Sequence, residues 1–82
     1  MGTTRDDIRS WLQRAKSEGA THVIVVCDTY DHEDYPVEVK PGEDVRKKFD
    51  EYNGKNMQRV MEVYNLSLDI DKQLLEHRAF NF

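Results

Sequence analysis

The sequence predicts an α+β fold: an N-terminal helix, an antiparallel β-hairpin with a long acidic loop, and two to three C-terminal helices packed on one sheet face. Three observations carry that expectation. Apolar residues recur at helical spacing over residues 4–18. A nearly continuous β-branched run, Val23-Ile24-Val25-Val26-Cys27, follows at once. A short alternating stretch, Val37-Glu38-Val39-Lys40, then lies too close behind for a crossover helix, so the two strands pair antiparallel. The 82 residues form a single small domain, 1–82, with one modest core.

Each element has a local cause. Thr3 or Thr4 caps the first helix, with Asp6 and Asp7 at the positive end of its dipole. Ile8, Trp11, Leu12 and Ala15 form its inner face, Trp11 acting as a core anchor, and Gly19 supplies the left-handed stop. The run from His22 to Cys27 does not alternate, which marks a strand buried on both faces. Within it Cys27 reads as a small buried hydrophobe and His22 as a structural histidine. Asp28 to Tyr35 reads as a polar loop, and Pro36 marks the start or edge of the next strand, which turns Val37 and Val39 inward. Pro41-Gly42 is a turn. Glu43 and Asp44 open a helix carrying Val45, Phe49 and Tyr52, which Asn53-Gly54 ends.

The next segment supports two readings. Met57, Val60, Met61, Tyr64 and Leu68 keep helical spacing, with Gln58, Arg59, Glu62 and Asn65 on the opposite side, and predict a helix capped by Asn56. The alternative is a third strand over residues 57–64, each of whose faces would mix charged and apolar groups; it would join the sheet by a right-handed crossover through the preceding helix. Ser67 or Asp69 caps a last helix bearing Ile70, Leu74 and Leu75, with Asp69 and Asp71 early and His77 and Arg78 late, matching the dipole. Phe80 and Phe82 predict a segment docked on the core or on a second subunit. A two-stranded sheet needs helices on one face, which leaves its other face or edge as a candidate for self-association in a homodimer.

Charge narrows the function classes. The net charge of −4 argues against nucleic acid or an anionic membrane as partner. A single cysteine excludes an intramolecular disulfide, and no apolar stretch of spanning length or signal segment is visible, so the expected setting is cytoplasmic. Between Ser17 and Val39 there is no Lys or Arg, while Glu18, Asp28, Asp31, Glu33, Asp34 and Glu38 all fall there. The remainder of the chain is therefore slightly basic.

Gly19-Ala20-Thr21-His22 leading into IVVCDTYD and EDYPV is similar to a signature of small uncharacterised bacterial and phage proteins. NMQRVMEVYNLSLD and LEHRAFNF belong to the same pattern, so the resemblance covers most of the chain. It implies no activity, cofactor or catalytic residue. A phage or prophage setting implies a small acidic protein that acts by binding a host or defence protein.

Two functional expectations follow from the residues. The first is a non-catalytic interaction or regulatory protein without a cofactor, whose acidic-aromatic loop binds a basic surface on a protein partner through Asp28, Tyr30, Asp31, His32, Glu33, Asp34 and Tyr35. The plain reading of the same loop is a solvated connection. The alternative is a small divalent-metal-dependent enzyme or ligand binder with Asp28, Asp31, His32 and Asp34 as ligands, although the loop lacks the EF-hand spacing. Nucleophilic catalysis has little support: His22 and Cys27 are five apart in one strand, hence on opposite faces, and cannot form a dyad with each other.

Overall fold

A computed structural model describes residues 3–55, 57–76 and 78–82. The element order is α1 (Arg5–Ser17), β1 (His22–Asp28), β2 (Glu33–Val39), α2 (Val45–Tyr52), β3 (Gln58–Asn65) and α3 (Ile70–Leu74). The α+β class holds, with an N-terminal helix, an antiparallel sheet of order β2-β1-β3, and helices in the C-terminal half. No helix among the described residues is long and apolar enough to cross a membrane.

The helix ends follow the sequence. Thr4 and Asp7 form a reciprocal capping box: the Asp7 N–H donates to Thr4 Oγ1 and the Thr4 N–H to Asp7 Oδ2, each at 3.1 Å. Asp44 accepts from Arg46 and Lys47 at the start of α2, and Asp69 accepts from Lys72 at the start of α3. Gly19, at φ 84°, takes the left-handed position that ends α1. The last helix is shorter than its pattern suggested and stops at Leu74. The expected cap Asn56 and the expected last-turn cation His77 lie outside the described residues.

The segment expected as a helix over Met57–Leu68 is instead strand β3, the third-strand alternative. The cause is a β-bulge. β1 pairs Val25 with Glu62 and Val26 with Val60, which leaves Met61 as an extra residue. The strand therefore places Val60 and Val63 on one face, and Met61 and Tyr64 against the other, at the three-residue spacing of a helix.

The third strand also corrects the packing. β1 is central, so its residues alternate between two covered faces. Val23 and Val25 pack with Ile8, Leu12, Ala15 and Tyr64 under α1 and α3. Ile24 and Val26 pack with Val39, Val60 and Val63, against Val45, Phe49 and Tyr52 of α2. Helices thus cover both sheet faces rather than one. The path from β2 through α2 to β3 crosses over β1, because β2 and β3 flank it and both run antiparallel to it.

The hairpin connection is tighter than expected. Glu33, Asp34 and Tyr35 belong to β2, in register with Asp28, Cys27 and Val26, so only residues 29–32 form the turn. Pro36 sits inside β2, which its place at the sheet edge allows.

Candidate functional site

The residues expected as an acidic loop form one tip of the sheet, but strand pairing divides them. Alternation along β2 sends Tyr35 to the α2 face, where it packs with the core, and Asp34 to the α1 face beside Cys27. Asp28 and Glu33 lie opposite one another at the strand ends. Tyr30, Asp31 and His32 occupy the turn and are exposed.

Hydrogen bonds fix this tip. Asp28 Oδ1 accepts the Tyr30 N–H at 2.8 Å and Asp31 Oδ1 accepts the Glu33 N–H at 3.1 Å, two local Asx-type turns. The Asp28 carbonyl accepts the His32 N–H at 2.7 Å. Thr29 donates both its N–H and its hydroxyl to the Met57 carbonyl at 2.8 Å, which ties the turn to the start of β3. Gln58 Nε2 donates to the Tyr35 hydroxyl. Burial, with the Asp28 charge and Tyr52 nearby, pushes the Tyr35 hydroxyl above the usual phenol range against the Gln58 hydrogen bond.

Asp28 and Asp31 therefore have a structural task, and Tyr35 is a half-buried core residue. What remains as surface is Tyr30, 78% exposed, with Asp31, His32 and Glu33 around it and Met57, 59% exposed, alongside. Sequence spacing gives no reason to single out Met57, because it fits the apolar face of a helix. A second signal coincides: the non-glycine residues with positive φ among those described are His32 (62°) and Met57 (59°), both at this tip. Left-handed backbone at such residues costs of order 1 kcal/mol and persists where the surroundings enforce it.

The charge is not wholly acidic. Arg59 lies across Cys27 from Asp34, and Lys55 precedes β3 at the same end. The carboxylates Asp28, Asp31, Glu33 and Asp34 still outnumber these cations. The four expected metal ligands do not converge: Asp28, Asp31, His32 and Asp34 are not gathered as a set, and no group of three His, Cys, Asp or Glu among the described residues could hold a metal ion. Burial first and then Asp34 push the Cys27 thiol pKa up, with Arg59 only partly opposing, which disfavours the thiolate.

A second polar cluster escaped the sequence reading. Arg5 Nη1 donates to Glu62 Oε1 and Oε2 at 2.9 and 3.1 Å and to the Tyr64 hydroxyl at 2.8 Å. Tyr64 in turn donates to Glu62 Oε1 at 2.8 Å, and the Ala79 N–H to Glu62 Oε2 at 3.2 Å. The cluster borders an open cleft of about 330 Å³, lined also by Ile8, Asp34, Met61 and Arg78. The Glu62 oxygens point to partners within the protein, so this cluster joins α1 and β3 to Glu76 and Ala79 rather than presenting groups to a ligand. The available signal was Glu62, the lone acid inside the apolar segment VMEVY.

Burial, followed by the Glu62 carboxylate, pushes the Tyr64 hydroxyl far above the usual phenol range despite Arg5. The unfolded chain ionises this phenol near pH ~10, whereas the folded protein keeps the proton to higher pH. Stability from the group is thus fully present below pH ~10 and is lost as the pH rises from there through the folded value. Tyr64→Phe should flatten the alkaline fall of the melting temperature above that pH; a slope equal to that of the wild type would refute the assignment.

Comparison with models of known protein families, with curated proteins and with solved structures finds no match for this chain.

Proposed function

We propose that this chain is a non-catalytic interaction protein that acts in the cytoplasm and docks its tip, Asp28–Tyr35 with Met57, on a basic protein surface. The observation that carries the reading is Tyr30, 78% exposed on a turn pinned by hydrogen bonds on both sides. A large aromatic held rigidly in water has little ordering entropy left to lose on binding, and Met57 beside it extends the apolar contact. Asp31, Glu33 and Asp34 supply the charge that steers and orients a cationic partner. In a phage or prophage setting the partner would be a host protein.

The test is capture from the source organism with the wild type beside a Tyr30→Ala, Asp31→Asn, Glu33→Gln variant. The amide introduced by Asp31→Asn keeps an oxygen that accepts the Glu33 N–H, so the turn is preserved and stability should move by no more than about 0.5 kcal/mol. A partner specific to the tip should bind the variant at least about tenfold more weakly, and its affinity for the wild type should fall with salt. A captured protein that binds both forms equally, or whose affinity ignores salt, would exclude the tip as the docking surface.

A further inference from the structure

Asn53-Gly54 is the one place in the sequence where Asn or Asp directly precedes glycine. That pairing carries its own chemistry. The amide carbon of an asparagine lies within ring-closing reach of the next residue's backbone nitrogen, and glycine has no Cβ to hinder the approach. Asn56, Asn65 and Asn81 instead precede Met57, Leu66 and Phe82, whose side chains crowd the same nitrogen.

The native turn commits both groups elsewhere. Asn53 closes α2, and its Oδ1 accepts the Val60 N–H at 3.3 Å, meeting a donor beside the Met61 bulge. The Gly54 N–H donates to the Gln58 carbonyl at 2.9 Å, with Gly54 at φ 79°. At ψ 108° Asn53 turns the Gly54 nitrogen well away from its own Cβ, whereas a five-membered ring needs the two nearly eclipsed. Both residues are exposed, so water reaches the pair. Nothing lies within 4 Å of the space a Gly54 Cβ would take, which leaves the turn room to open.

We propose that Asn53 is a self-modification site, a spontaneous conversion to aspartate and isoaspartate that the native turn withholds and its opening releases. The Gly54 nitrogen gives its proton to solvent and bonds to the Asn53 Cγ. The C–N bond of the side-chain amide then breaks, and the departing nitrogen takes a proton to leave as ammonia. Water opens the succinimide at either carbonyl, giving aspartate or isoaspartate without any oxidant or further reactant. The aspartate keeps an oxygen for Val60 and adds a negative charge near Gln58, which pairs with Asp28. The isoaspartate routes the main chain through Cβ, which lengthens the link from α2 to β3 and withdraws the oxygen from Val60. Only the open fraction of molecules reacts, so the modification records how often α2 and its turn lift from the sheet.

The experiment follows the full chain in mildly alkaline buffer by intact mass and peptide mapping, both native and in strong denaturant. In denaturant, position 53 should convert to both products, and Gly54→Ala should largely stop the reaction where folding plays no part. The native wild type should convert at least about tenfold more slowly than the denatured chain. Phe49→Ala, which loosens α2, should convert faster than the native wild type; if that variant fails to fold, the wild-type comparison decides alone. Native conversion at the denatured rate overturns the inference, as does a folded Phe49→Ala chain that converts no faster than the wild type. A denatured chain that keeps its Asn53 amide overturns the site itself.

Discussion

Glu62→Ala should lower the unfolding free energy by about 3 kcal/mol, near the bottom of the range for breaking a buried ion pair. The low end applies because the Arg5 side chain is 45% exposed, and water recovers part of its charge once the partner is gone. The larger loss comes from what stays behind. The Tyr64 hydroxyl loses its acceptor in a side chain with no exposure, and the Ala79 N–H loses one at a residue equally buried. Each unsatisfied buried group costs roughly 1–3 kcal/mol. A chain of this length is stable by roughly 4–12 kcal/mol, so the variant gives up a large share and should melt on the order of 15 °C lower. Tyr64→Phe, which removes the hydroxyl together with its need for partners, should cost only about 1 kcal/mol. Chemical denaturation of the two variants separates a cooperative cluster from an incidental pair. A Glu62→Ala loss below about 1 kcal/mol would refute the cluster.

How far the chain could be read in advance depended on how local each determinant is. The helix starts were legible because capping is decided within four residues: Thr4, Asp44 and Asp69 each accept the expected backbone donors. The burial of β1 was legible because Val23, Ile24, Val25 and Val26 leave no polar face. β3 was not legible, since the extra residue at Met61 breaks the two-residue period, and only pairing with β1 reveals a bulge. That one error spread: without a third strand the sheet had a spare face, and α2 had no reason to lie opposite α1. Glu33 and Asp34 read as loop because acids have low strand propensity, yet pairing with Asp28 and Cys27 overrides it. At the tip, composition exposed Tyr30 and the acids, but the turn-forming duties of Asp28 and Asp31 and the arrival of Met57 needed the folded chain.

Phe49→Ala should cost about 3 kcal/mol and should do so unevenly across the molecule. None of the α2 residues is fully buried; the helix rests on the partly buried Val45, Phe49 and Tyr52. Phe49 also meets the rings of Phe82 at 5.3 Å and Phe80 at 6.4 Å, and such edge-on pairs add roughly 0.5–1.5 kcal/mol beyond burial. Its removal therefore takes the central anchor from α2 and the pocket from Phe82 in one step. On the other face, Leu12 has no exposure and packs beneath α1, so Leu12→Ala should cost roughly 2–5 kcal/mol through the shared core. Hydrogen exchange distinguishes the two losses. In Phe49→Ala the amides of α2 and that of Asn81 should lose protection well before β1, because they open without the sheet. In Leu12→Ala protection should fall across β1 and α1 together. If Phe49→Ala instead lowers every amide equally, α2 and the Arg78–Phe82 segment open together with the sheet as one cooperative unit.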